Sequence, residues 1–199
     1  MHRESTLFSS RRALAHLYWK LLLRPGDIVI DATCGNGKDT LFLAQTVLEK
    51  EADQGMVIGI DIQKKAIENT SDLLKKELTD SQFSKIQLFN CSHIDFPEIA
   101  FLDPVKLIVY NLGYLPGSDK TLTTHTPVTV ESVSKALKII APQGAVCITC
   151  YPGHPEGAEE EKALINLFEN LEPSQWDVSY SKWLNREASP TLLFIQKKT

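Results

Sequence analysis

Asp31, Gly35, Gly37 and Asp39 crowd into one stretch, VIDATCGNGKDTLFLA from Val29 to Ala44, and Asp61 closes the next β-branched run. A carboxylate at the end of an apolar run, followed by a glycine turn and then helical periodicity, is the pattern of a ligand seated where strand meets helix. Two ligand classes use it. Dinucleotides and the sulfonium donor S-adenosylmethionine both take a glycine turn after the first strand and an acid after the second, which accepts the ribose hydroxyls. The glycines do not separate them, but the acid does. A dinucleotide sets its anionic pyrophosphate on the helix N-terminus, where the Asp31 carboxylate would repel it. A cationic donor is attracted instead, directly or through water. Thr40 also stands where the dinucleotide fingerprint needs its third small residue. Lys38 follows Gly37 without the upstream glycine or the next-in-line Ser/Thr of a phosphate-binding Walker loop.

As a donor site, the turn offers Asp31, Thr33, Gly35, Asn36, Gly37, Asp39 and Thr40, the second strand offers Asp61 and Gln63, and the third offers Ser92 and His93 to the adenine. Asp31 as a plain cap for the following helix is the competing structural reading. A second group of chemistry-bearing residues follows the fourth apolar run in NLGYLPGSDK. Many amino-group methyltransferases carry an Asn or Asp, two prolines and an aromatic there; Asn111 and Tyr114 keep the ends of that pattern, while Leu112-Gly113 replaces its prolines. An Asn oxygen can accept from an amine and leave its lone pair aimed at a methyl carbon, and Tyr114 can stack on a base. Asn111 therefore borders both donor and acceptor, with His154 in YPGHPEG as a third catalytic candidate. Pro155-Glu156-Gly157 reads equally well as a helix-start turn. His16, His125, Asp119 and Lys120 are weaker candidates.

The elements that must position these residues alternate. AHLYWKLL is an amphipathic helix, DIVIDA a strand, KDTLFLAQTVLEK a helix and GMVIGID a strand. Next come a helix over Lys64 to Leu78, the strands IQLFNC and VKLIVYNL, and a helix capped by Thr126 that stops at Pro142-Gln143-Gly144. AVCITCY, a helix from about Ala158 to Leu171, WDVSYSKWL and TLLFIQKK complete the chain. Continuous apolar strands separated by helices predict an α/β doubly wound, Rossmann-like sheet of class I methyltransferase type. It should be mostly parallel with an antiparallel C-terminal hairpin, forming a single domain over residues 1–199 with an N-terminal helix. The chemistry-bearing loops all leave strand C-termini and should share one rim.

Bulk properties exclude several classes. A formal charge of −4 argues against coating nucleic acid through net charge. Local basic pairs remain, among them Arg11 with Arg12, Lys75 with Lys76, and Lys182 with Arg186, and such pairs ordinarily lie on solvated faces. No apolar run reaches the ~20 residues of a membrane span, and MHRESTLFSS lacks a signal-peptide core, which predicts a cytoplasmic protein without membrane contact. Cys147 and Cys150 alternate to opposite faces of a strand and have no second pair, so no metal site is expected. The fourth-strand loop holds no cysteine for attack on a pyrimidine ring, and Cys34 reads as a packing residue.

Taken together, DATCGNGKDTLFLA, IGIDIQ, NLGYLPGSDK and GHPEG resemble a small bacterial family once labelled ribosomal RNA methylases, whose characterised members are transfer RNA 5-(aminomethyl)-2-thiouridine methyltransferases. The resemblance spans nearly the whole chain. It implies S-adenosylmethionine as methyl donor, the anticodon stem-loop of tRNA as partner, and N-methylation of the aminomethyl group on the wobble uridine. Methylation of ribosomal RNA or of a small-molecule amine, and a donor-binding module without turnover, remain the alternatives.

Overall fold

The computed structural model describes residues 10–48, 54–113 and 124–199. Helix α1 (Arg11–Leu22) starts where the Ser10 side chain accepts from the Ala13 amide. Strand β1 (Ile28–Asp31), helix α2 (Lys38–Val47) and strand β2 (Met56–Asp61) form the expected βαβ unit. Helix α3 (Lys64–Glu77) and a single turn α4 (Asp80–Phe83) lead into β3 (Ile86–Asn90). The α4 turn was not expected, although Thr79 and Gln82 form a reciprocal capping box that is visible as Thr-x-x-Gln. Strand β4 (Val105–Asn111), helix α5 (Thr126–Ile139), strand β5 (Ile140–Cys150), helix α6 (Pro155–Glu169), β6 (Trp176–Ser181) and β7 (Thr191–Lys197) follow.

All seven strands lie in one sheet of order β3-β2-β1-β4-β5-β7-β6, with β1 to β5 mutually parallel and β7 antiparallel to both its neighbours. The chain winds from β1 outward to β3 and then returns to β4, so the order reverses between β1 and β4. That reversal opens the ligand crevice beyond the strands' carboxyl ends. Alternating strand residues feed two cores. Val29, Val57, Val109 and Cys147 pack with Leu14 and Trp19 of α1 and Leu43 of α2. Ile30, Ile58, Tyr110, Ile148 and Cys150 pack with Val133 of α5 and Leu164 of α6. Cys147 and Cys150 thus face opposite cores, as the odd spacing requires.

Three boundaries differ from expectation. His125, not Thr126, is the N-cap of α5, which puts Pro127 inside the first turn. Helix α6 begins at Pro155, three residues early, because His154 caps it. Helix α5 stops at Ile139, ahead of Pro142-Gln143-Gly144, which lies within β5 where the register shifts between Val105 and Leu107 and Gln143 takes a φ of +59°.

Candidate active site

At the crevice, β1 ends in Asp31 and the chain turns through Gly35 and Gly37, with φ of +54° and +74°. At Gly37 the glycine is required twice, since its φ is left-handed and an added Cβ would sit 2.9 Å from Thr70 Cα. Asp61, at the end of β2, fastens the turn: its carboxylate accepts from the Gly35 amide and from the Gln63 amide, both at 2.9 Å. Each carboxylate oxygen keeps an acceptor position for a hydroxyl. Burial raises the Asp61 pKa even against those two amide bonds.

Asp31 is placed differently from expectation. It is fully buried, accepts from Thr40 Oγ1 at 2.7 Å and from the Thr33 amide at 3.2 Å, and Thr40 is equally buried. Both side chains are spent on hydrogen bonds inside the turn, which they hold in shape. Burial first, then the Asp39 charge, pushes the Asp31 carboxyl up to about 7. Thr33 also turns inward, with Oγ1 accepting from the Asn111 amide at 2.7 Å. Asn36 is exposed and accepts from Asn69 Nδ2 at 3.1 Å.

Asp39 is the acid that faces the crevice. One oxygen lies 2.7 Å from His16 Nε2 of α1, and the other accepts from Asn111 Nδ2 at 2.9 Å. The His16 ring is stacked on Phe42 at 3.8 Å and tilted against Trp19, so α1 and α2 fix its plane. His16, Asp39 and Asn111 form one chain of contacts spanning three elements. With its amide nitrogen committed to Asp39, Asn111 presents Oδ1 as its remaining acceptor.

Ser92 and His93 follow β3. The Ser92 hydroxyl accepts from the Ile94 amide at 3.4 Å. The His93 ring meets Tyr110 edge to face at 5.8 Å, and burial lowers its pKa to about 4, leaving it neutral near pH 7. Its Nδ1 is buried without a hydrogen-bond partner among the described residues. His154 acts first as a helix cap: Nδ1 accepts from the Gly157 amide at 3.1 Å. The helix-start reading of its loop therefore describes the geometry, and the ring nitrogen nearest the backbone is not available for catalysis. Tyr114, Asp119 and Lys120 lie outside the described residues.

Two side chains escaped the sequence reading. Tyr151, immediately after β5, is partly exposed, and its Cδ2 would lie 3.8 Å from a Cβ on Gly113. Its pKa is raised, by burial and then by the Asp39 charge, which places the phenol in the field of the same carboxylate. Ile62, exposed just past Asp61, offers an apolar face beside that carboxylate. The only cue in the sequence was an apolar residue directly after a strand terminus.

The residues fit a cationic donor. Asp39 and Asp61 each raise the Asp31 pKa, so three carboxylates act on one small volume, and His16 is the one basic side chain ion-paired to them among the described residues. Such a field attracts a sulfonium and an ammonium and rejects a pyrophosphate. The unpartnered His93 Nδ1 is an orphaned group that a polar heterocycle can satisfy.

Fold and site define a class I methyltransferase with S-adenosylmethionine as donor. The family described as "Putative rRNA methylase" matches residues 57–197, and the chain belongs to that family. It is 37% identical over 196 residues to the chloroplastic tRNA (mnm(5)s(2)U34)-methyltransferase of Arabidopsis thaliana, spanning 96% of this chain and 72% of the relative. A "putative rRNA-methylase" structure from Clostridium thermocellum superposes with a TM-score of 0.85 at 32% identity, covering 94% of this chain and 97% of the other. A Streptococcus mutans "putative methyltransferase" solved with SAH gives 0.79 at 26% identity over 99% of both chains. Among the described residues, no helix is long and apolar enough to cross a membrane.

Proposed function

We propose that the protein methylates the nitrogen of a 5-aminomethyl group on the wobble uridine of tRNA, taking the methyl from S-adenosylmethionine. The observation that carries the reading is the orientation of Asn111: Thr33 holds its backbone, Asp39 holds its amide nitrogen, and Oδ1 remains to accept. The substrate class rests on similarity to the Arabidopsis tRNA methyltransferase. In this reading Asp61 accepts the ribose hydroxyls, the Gly35 to Gly37 turn and Gln63 approach the nucleoside, and Ser92 and His93 border the adenine. Asp39, with Asp31 behind it, holds the cationic portion. When bound, the donor supplies an electrophilic methyl on a positive sulfur.

An alkylammonium has no lone pair, so the amine must be neutral to react. Asn111 Oδ1 accepts one amine hydrogen and aims the nitrogen lone pair. Desolvation in the crevice lowers the amine pKa and increases its neutral fraction at a given pH. Tyr151 gives the base an aromatic surface, and His154 caps α6 three residues further on. The decisive experiment is nucleoside mass analysis of tRNA bearing 5-aminomethyl-2-thiouridine after incubation with protein and donor. One added methyl on the aminomethyl nitrogen is expected, with a single-turnover rate that rises with pH and levels off below the pKa of a free alkylamine. Methylation confined to ribosomal RNA or to small amines would overturn the assignment.

A further inference from the structure

The loop joining β6 to β7, residues 182–190, stands on the same rim as the site, because Ser181 pairs with Leu192 and Thr191 with Cys150 at the end of β5. It abuts the turn after β5: a Cβ on Gly153 would lie 3.3 Å from the Ala188 carbonyl oxygen. Beneath it is Arg11, only 6% exposed, with Nε donating to the Pro190 carbonyl at 2.8 Å and Nη1 to Ser181 Oγ at 2.9 Å. The guanidinium carbons of Arg11 and Arg186 lie over the Trp183 ring, 4.6 Å and 5.1 Å from its centroid. Trp183 therefore holds two like charges close together, each attracted to its π face.

Among the described residues, no carboxylate lies within ion-pair distance of either guanidinium. Among the described residues the ion pairs include none of Arg11, Arg12, Lys182 or Arg186, and Arg11 Nη2 is buried without a hydrogen-bond partner. Burial, and to a smaller degree the Arg186 charge, lowers the Arg11 pKa, as expected for a cation held without a counterion. Arg12 and Lys182 are exposed beside them, and the Arg12 charge is felt at the Tyr151 phenol near the crevice mouth. Leu184 projects from the same loop, 91% exposed. On a chain of net charge −4, this unpaired basic rim is built against the average. A cation group around an aromatic, without ion pairs among the described residues and on the same rim as Asp39 and Asn111, is suited to a polyanion whose base approaches the strand ends while its backbone remains outside.

We propose that the β6–β7 loop and the first turn of α1 are the docking surface for RNA phosphates, with Arg12, Lys182 and Arg186 making the contacts and Arg11 and Trp183 holding Arg186 in place. This rests on the assignment of tRNA as substrate and adds where its backbone sits. The two can fail separately. Affinity for tRNA bearing the aminomethyl base is measured by fluorescence anisotropy across salt for wild type, for Lys182→Ala/Arg186→Ala, and for Lys75→Ala/Lys76→Ala on α3, which removes the same charge elsewhere. Donor binding and thermal midpoint are recorded for each.

The loop variant should bind about 10-fold more weakly near 0.1 M salt and lose roughly 1.5 from the log-log salt slope, as two lost phosphate contacts imply. Its donor affinity and midpoint should be unchanged, and the α3 variant should match wild type. Unchanged affinity and slope in the loop variant, or an equal loss in the α3 variant, overturns the docking surface and leaves the function standing. Wild-type protein that neither binds nor methylates this tRNA overturns the function, and the docking proposal with it.

Discussion

The two halves of the crevice are built on opposite principles. On the β1–β2 side, three carboxylates converge on a glycine turn whose amides, hydroxyls and acids are bonded to one another, and the key acid is wholly buried. On the β4–β5 side the groups are partly exposed and drawn from distant elements, and the basic side chains of the rim form no ion pair among the described residues. Under the proposed docking, separating the charges this way lets one sheet attract a cation to its floor and a polyanion to its edge without either neutralising the other. At the boundary, Asp39 belongs to the first half and positions Asn111 of the second.

The largest expected effect tests the buried half. Asp31 has a folded pKa of about 7 against 3.8 unfolded, so between these values the folded chain keeps a proton that the unfolded chain has released. The Asp31 contribution to the stability of the donor-free protein should therefore be fully present below about pH 4 and be lost as pH rises to about 7, by an amount on the order of 4 kcal/mol. Asp31→Asn should remove most of that fall. A smaller one of the same sign should remain from Asp61 and Glu160, whose pKa values are also raised, chiefly by burial. Chemical denaturation across pH measures it, and an equal slope in the variant would show that Asp31 does not carry the strain. A cation seated nearby holds the carboxylate ionised, so donor affinity should rise through the same window.

The exposed half is tested next. Asn111→Ala should slow single-turnover methyl transfer on the order of 100-fold while donor affinity changes little, because the lost group orients the acceptor. Asp61→Ala should do the reverse, weakening donor binding about 10- to 30-fold through loss of a charge-assisted acceptor, with tRNA affinity intact. Calorimetry with donor and anisotropy with RNA separate the two. If either variant lost both affinities together, the halves would not be independent.

The same contrast decides what could be read from sequence. The donor half is local: acid, turn, helix and second acid lie in one βαβ unit, and the order of residues alone placed them at the crevice. What sequence could not show was depth, since Asp31 and Asp39 look alike in DATCGNGKD, yet only the second faces the opening. The acceptor half is non-local. Gly113, with a φ of +119°, donates its amide to Thr124 Oγ1 at 3.0 Å, and Thr124 Oγ1 donates in turn to buried Glu160 on α6 at 2.9 Å. No spacing rule joins those residues, just as none joins Arg11 to Trp183. Lys182 and Arg186 read as an ordinary solvated pair because their distinguishing partner lies at the other end of the chain.

The smallest effect is expected at the joint between the halves. His16 holds Asp39, and Asp39 holds the Asn111 amide. Removing the imidazole with His16→Ala leaves the Asp39 carboxylate with one fewer partner and free to turn, so Asn111 spends less time with Oδ1 presented. The loss of one such hydrogen bond corresponds to roughly 0.5 to 1.5 kcal/mol, or about a 2- to 10-fold slower single-turnover rate. A merely structural role would lower the thermal midpoint without separating rate from affinity. A positioning role predicts slower chemistry at saturating donor and tRNA, unchanged tRNA affinity, and recovery in His16→Gln, whose side-chain amide can donate to the same carboxylate. In an Asn111→Ala background the His16→Ala change should cost nothing further in rate, because the group it positions is gone. Additive losses in the double variant would place His16 on a separate route to the site and break the link between the two halves.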